Sequence, residues 1–196
     1  MNLFSATLLG IIQGITEFLP ISSSAHLAFA QYFVPGFSQP GVLFDVILHA
    51  GTLLAVIIYF RKTLLSLTPK MIALLILGTI PAVIFGFLFS DWFEASFGDI
   101  KMIGVELVIT GIFIYFVDAA RERRKTITWL DALIIGVAQA IAIIPGISRS
   151  GATIFAGVFR GLNKKQVADF SFLLSLPAIS GAIVLEVVKY GLADQI

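Results

Sequence analysis

The chain has 196 residues, 58% of them hydrophobic and 13% charged, with a formal net charge of +1. Soluble domains carry about 25% charged residues, so this composition excludes a soluble globular protein and leaves little chain for a soluble domain beside a membrane one. There is no cysteine, which excludes disulfides and thiol chemistry.

In chain order, no Lys or Arg precedes Arg61, so the N-terminus lacks the basic region of a signal peptide and is expected to be retained. An apolar stretch, Phe4–Leu19, is broken by Pro20 and the triplet Ser22-Ser23-Ser24 before a second one, Ala28–Phe33. Three runs long enough to span a bilayer follow: Val42–Phe60, Met71–Phe89 and Ile100–Ala119. The basic run Arg121–Lys125 reads as a topology signal rather than a nucleic-acid site. Then the opening pattern returns: Trp129–Ile144 is apolar, Pro145-Gly146 breaks it, and Ala152–Phe159 resumes. Gln166–Val188 is the fourth spanning run. Each run is about 19–23 residues, roughly 28–35 Å of helix, against about 30 Å of hydrocarbon.

The two broken segments are copies. A shift of 126 places Gly10, Gln13, Ile15, Ile21, Ser22 and Ser24 on Gly136, Gln139, Ile141, Ile147, Ser148 and Ser150, and Phe29, Phe44 and Leu48 on Phe155, Phe170 and Leu174. Proline removes a backbone donor and disfavours helix before it, so each copy is expected to be a re-entrant helix pair with its turn at membrane depth. If both pairs enter and leave on one face, ten basic residues from Arg61 to Lys165 share one side, and only Lys101 and Lys189 lie on the other. That is a strong positive-inside pattern. Three crossings separate the pairs, so the repeats have inverted topology. The expected fold is an all-α integral membrane protein in a single domain, 1–196, with repeat one at 1–120 and repeat two at 127–196. It has two re-entrant pairs and about four spanning helices. Counterparts of Met71–Ala119 are absent from repeat two, which a complete duplication would extend by roughly 50 residues.

Ser22 and Ser148 are natural N-caps, and a helix start presents unpaired N–H groups and a positive dipole end to an anion. Inverted repeats bring both starts toward the midplane, where Arg149 adds a planar charged fork suited to phosphate oxygens. Such a site suits a diphosphate better than a carboxylate. Glu17, with Gln13 at i−4 on its helix face, would repel that ligand unless a cation intervenes, so Mg²⁺ (or Ca²⁺) is expected on Glu17 and Gln13. His26, three residues after Ser23, could handle a proton. Serine, histidine, carboxylate and arginine together are the set for phosphoryl transfer to a hydroxyl or to water. A charge inside a membrane segment is functional by default, which favours Glu17 and Arg149. Asp45 and His49 share a helix face at i,i+4 and could form a ligand pair, but a polar seam facing the cavity or outer surface is the favoured reading. Glu106 is either an internal hydrogen-bond partner or a cavity residue.

At these residues the chain resembles the undecaprenyl-diphosphate phosphatase family of bacterial membrane enzymes linked to bacitracin resistance. Gln13-Gly14-Ile15-Thr16-Glu17-Phe18-Leu19-Pro20-Ile21-Ser22-Ser23 resembles its first motif, and Pro145-Gly146-Ile147-Ser148-Arg149-Ser150-Gly151-Ala152-Thr153 its second. The resemblance implies removal of the terminal phosphate of undecaprenyl diphosphate, recycling the carrier lipid for cell-wall synthesis. It implies divalent-metal dependence and a site reached from the outer face of the bacterial inner membrane. It also implies roles for Glu17, Ser22, Ser23, His26 and Arg149. Many members carry Glu where this chain has Gln13, and members usually extend further at the C-terminus. The expected catalytic set is Glu17, Ser23, His26 and Arg149. Ser22, Ser24, Gly146, Ser148, Ser150 and Thr153 are expected to bind substrate. The partners are the lipid substrate and the bilayer, without nucleic acid; a homodimer is compatible with this reading. The rival class is a lipid-phosphate flippase built on the same inverted-repeat anion site. Glu17 with His26 argues against it, because a carrier needs no metal-binding carboxylate and proton shuttle beside its anion.

Overall fold

A computed structural model describes residues 3–38, 43–96, 99–117 and 122–191. Val42, Ala119 and Arg121, which bound the apolar and basic runs above, lie outside them. The described elements are α1 (Leu3–Thr16), α2 (Ser23–Tyr32), α3 (Leu43–Tyr59), α4 (Arg61–Leu65), α5 (Pro69–Leu88), α6 (Ser90–Ser96), α7 (Ile100–Val117), α8 (Trp129–Ile141), α9 (Arg149–Phe159) and α10 (Lys164–Gly191). Among the described residues, one isolated bridge between Arg124 and Leu162 is the only strand-like pairing.

The sequence marks the helix starts. Thr68 accepts from the Met71 N–H with Pro69 in the first turn of α5, and Thr128 and Asp131 form a reciprocal capping box at the start of α8. Among the described residues, three helices are long and apolar enough to cross a membrane: α5, α7 and the Lys164–Leu185 part of α10. The fourth expected span, α3, is 17 residues, about 26 Å of helix. The outer surface is apolar, with Ile76, Phe87, Val108 and Tyr115 exposed, while Gln13, Glu17, Glu106, Asp131 and Gln139 are buried. This reversal of the usual pattern belongs to a protein whose solvent is lipid.

The duplication extends to the helices. Shifting α1 by 126 gives 129–142, against 129–141 for α8; shifting α2 gives 149–158, against 149–159 for α9. The shifted α3 falls at 169–185, inside α10, and α3 and α10 pack on each other.

The two broken pairs take their shape from a few contacts. At one end of α8, buried Asp131 accepts from Arg124 and from Arg160 Nε at 3.0 Å, and Arg160 is the C-cap of α9. The two ends of the α8–α9 pair therefore meet, and α9 runs back toward the end where α8 begins. The Gly161 carbonyl accepts from the backbone N–H groups of Arg123 and Arg124, stitching the preceding loop to the same end. The main apolar core lies nearby, where Phe60, Leu74, Ile135, Val158, Phe170 and Leu174 pack together. Farther along, α5 and α8 touch backbone to backbone. A Cβ at Gly136 would lie 2.4 Å from the Gly78 carbonyl oxygen, so only glycine permits this approach. Beyond that contact stands a cavity, with the two chain breaks in its wall.

Candidate active site

The breaks are built alike. Ser22 caps α2, its Oγ accepting from the Ala25 N–H at 3.4 Å; Ser148 caps α9, its Oγ accepting from the Gly151 N–H at 3.1 Å. In both, the capping serine also bonds the serine two residues on: Ser22 to Ser24 at 3.2 Å, Ser148 to Ser150 at 3.3 Å. They differ in backbone. Ser22 has φ 66°, a left-handed conformation costly for a residue with a Cβ, whereas at the second break the left-handed residue is Gly146, at φ 92°. A Cβ on Gly146 would also lie 2.7 Å from Glu106 Cβ.

The breaks touch each other, Ser150 Oγ donating to the Leu19 carbonyl at 3.4 Å. At their junction sits Glu17, 8% exposed. One of its carboxylate oxygens pairs with the Arg149 guanidinium. The other accepts from Ser23 Oγ at 2.6 Å and Gln13 Nε2 at 3.1 Å. His49 Nε2 approaches that same oxygen at 3.4 Å, while its Nδ1 bonds the Asp45 carbonyl at 2.7 Å. One carboxylate thus gathers groups from α1, α2, α3 and α9. Ser23 and Arg149, each the first residue of its helix and related by the 126 shift, take opposite oxygens of it.

Glu17, Ser22, Ser23, Ser24, Ser148, Arg149 and Ser150 all line the cavity, whose volume is about 420 Å³, within the range of small-molecule sites. Much of its remaining wall is apolar, including Ala82, Val83 and Gly86 of α5 and Ala178, Ile179 and Ala182 of α10.

Three expected site residues are placed elsewhere. His26 does not line the cavity; its Nδ1 folds back along α2 to the Ser22 carbonyl at 2.7 Å. Gly146 shapes the turn against α7, where its carbonyl accepts from Thr110 at 2.9 Å. Thr153 is fully buried and bonds Ser171 Oγ at 2.6 Å, tying α9 to α10. Gln13 stands behind Glu17, with its Oε1 buried and unpartnered.

His49 and Asp45, the polar pair at i,i+4, line the cavity, and His49 is the histidine beside Glu17. Other residues reach the site without a clear signal in the sequence. Thr110 accepts from the Ser148 N–H at 2.9 Å while donating to Gly146, satisfying the backbone of the break from 36 and 38 residues away; no local pattern could have announced it. Gln139 also lines the cavity. The repeat pairs it with Gln13, but no carboxylate near it in the chain marks it as part of a site. Glu106 packs on Gly146 with its Oε2 unpartnered, outside the cavity lining.

Two serine-capped helix starts, a guanidinium and a serine–carboxylate pair, enclosed among apolar helices, define a helical membrane protein with a polar cavity built from both broken pairs. The model of the family described as Bacitracin resistance protein BacA matches residues 6–195, and the chain belongs to that family. It is 46% identical to an undecaprenyl-diphosphatase of Syntrophotalea carbinolica, over 97% of this chain and 78% of the relative. It is 49% identical to undecaprenyl-diphosphatase 4 of Bacillus cereus, over 96% and 75%. With undecaprenyl-diphosphatase 1 of Pseudoalteromonas translucida the identity is 42%, over 100% and 80%.

Proposed function

We propose that this chain hydrolyses undecaprenyl diphosphate to undecaprenyl phosphate and inorganic phosphate. The observation that carries this reading is Glu17, held between Arg149 and Ser23 where the two helix starts meet. A diphosphate entering the cavity meets the N–H groups of both starts and competes with Glu17 for the Arg149 guanidinium. Transfer of Arg149 to phosphate oxygens leaves Glu17 to accept the Ser23 proton. Ser23 Oγ then attacks the terminal phosphorus: a new O–P bond forms, the bridging P–O bond breaks, and undecaprenyl phosphate leaves with the electron pair. Water then attacks the phosphoserine and releases inorganic phosphate. His49, beside the same Glu17 oxygen, is the group positioned to relay the proton, in place of His26. A flippase would use the arginine and the helix starts but not a serine bonded to a carboxylate, and that bond favours the enzyme.

Divalent-cation dependence is part of the proposal. Among the described residues no group of three or more His, Cys, Asp or Glu could hold a metal ion by itself. Mg²⁺, however, is commonly bound by one or two carboxylates together with substrate phosphates. The unpartnered buried Gln13 Oε1 beside Glu17 is an oxygen donor that suits it. Glu17 and Gln13 would hold the ion, which would neutralise phosphate charge.

The proposed setting is the bacterial inner membrane, with the two broken pairs entering from opposite faces and the cavity open to the outer side. The basic cluster at the outer ends of α8 and α9 supports placing those ends in the cytoplasm. The prenyl chain leaves between α5 and α10, whose cavity-facing residues are apolar. The test is phosphate release from undecaprenyl diphosphate by purified protein in detergent, with and without EDTA. Release that EDTA abolishes and Mg²⁺ restores is expected. Tight binding of the lipid without release would support the flippase instead.

A further inference from the structure

The repeat gives each half a glutamine at the same register, Gln13 and Gln139, but only one has a carboxylate to hold. Gln13 donates to Glu17 at i+4; the residue at i+4 from Gln139, and the repeat counterpart of Glu17, is Ile143. Gln139 is 2% exposed, and neither its Nε2 nor its Oε1 has a hydrogen-bond partner. It is nevertheless not sealed in the core. Gln139 on α8 lines the cavity together with Ala142 and Ile143 just past the helix end, so the unpartnered amide belongs to a residue of the cavity wall. Leaving a buried amide without partners is unfavourable, and a ligand in the cavity is the natural source of them.

We infer that Gln139 binds the phosphate that stays on the lipid, and so helps the site distinguish a prenyl diphosphate from a simple phosphate ester. This rests on the phosphatase reading above. Two observations choose the phosphate. Ser23 and Glu17, the reacting pair, belong to the first break, so the terminal phosphate lies on that side. Gln139 belongs to the second half, where Ile143 leaves no carboxylate to repel a permanent anion and where Ala142, Val83 and Ala182 bound the cavity with apolar wall. A phosphate esterified to a prenyl chain needs that boundary, with its oxygens on the α9 start and Gln139 Nε2 and its chain against the apolar wall. The Gln139 Oε1 is left to accept from water or from a protonated phosphate oxygen.

The test compares wild type with Gln139→Leu and Gln139→Glu in detergent, with thermal midpoints recorded to show that each variant folds. For Gln139→Leu, KM for undecaprenyl diphosphate is expected to rise tenfold to about a hundredfold, the worth of a hydrogen bond to a charged acceptor, with a far smaller change in kcat. Inhibition by undecaprenyl monophosphate should weaken by a similar factor, and inhibition by inorganic phosphate should not. Gln139→Glu should weaken both substrate and monophosphate further by charge repulsion. Unchanged KM and unchanged monophosphate inhibition overturn the inference, as does a selective loss of inhibition by inorganic phosphate. Equilibrium binding of farnesyl monophosphate, which needs no turnover, gives the independent arm. If the wild type binds it but releases no phosphate from the diphosphate, the phosphatase reading fails while the Gln139 comparison still decides this one.

Discussion

In the proposed mechanism Glu17 carries the chemistry because of the groups gathered around it, of which Ser23, His49 and Arg149 also line the cavity. Arg149 balances its charge, Ser23 donates to it, Gln13 fixes its carboxylate, and His49 faces the oxygen that Ser23 uses. Removing the guanidinium takes away a fixed charge aimed at the developing phosphoryl charge and leaves Glu17 to repel the ligand. Arg149→Ala is therefore expected to lower kcat by about 10²–10³-fold. Arg149→Lys should recover only part of this, since a point charge cannot span two oxygens. Steady-state phosphate release measures both, and activity near wild type in Arg149→Ala would refute the assignment. The two histidines can be separated by pH. His49→Gln should change the shape of the kcat/KM profile against pH, whereas His26→Gln should lower activity through the first turn of α2 and keep the wild-type shape. Glu17, Ser23 and Arg149 were legible in the sequence because a charge or a serine run inside an apolar segment costs stability unless a site uses it. That His49 rather than His26 stands beside Glu17 was not, because it is set by the packing of α1 against α3 rather than by spacing along either helix.

At the scale of elements, the broken helices stand only because others satisfy and confine them. Thr110 on α7 binds both sides of the second break. Thr110→Val keeps the shape but orphans the Ser148 N–H, at an expected cost of about 1–3 kcal/mol. The thermal midpoint in detergent should fall, and KM should rise as the α9 start loses its position. Gly136→Ala tests the backbone contact between α5 and α8. Its new methyl would meet the Gly78 carbonyl at 2.4 Å, and overpacking of this kind costs about 1–3 kcal/mol. An unchanged midpoint would mean that the helices separate freely there. The element boundaries themselves were largely readable: α5, α7 and α10 follow the apolar runs, and Ser22 and Ser148 cap α2 and α9 as their positions implied. The contribution of α7 was hidden, since Thr110 and Glu106 are polar singles in a helix with no polar stripe. Their meaning comes from facing Gly146.

For the whole molecule, the meeting of α8 and α9 depends on Asp131, which also anchors the loop before α8. Burial favours the neutral acid there, but hydrogen bonds from Arg124, Thr128 and Arg160 outweigh it and hold the carboxyl well below the usual carboxylate range. A carboxyl depressed in the folded state contributes stability above its unfolded value, at about pH 4, and loses it as pH falls toward the folded value. The wild-type thermal midpoint should therefore fall more steeply below about pH 4 than that of Asp131→Asn, which lacks the titrating group. At neutral pH the variant should already be less stable, by about 3 kcal/mol, because two arginines lose their buried partner. Parallel pH profiles for the two proteins would contradict this role.

The central claim is that two halves of a duplicated chain build one reactive site, the second half holding the anion and the first reacting with it. A double-mutant cycle across the junction tests that most directly. Single-turnover phosphate release would be measured for wild type, Glu17→Gln, Arg149→Gln and the double variant. Because the two side chains pair with each other and act on one ligand, the double variant is expected to be little slower than the slower single variant, a strongly non-additive result. Effects that multiply, as for two independent sites, would contradict the account.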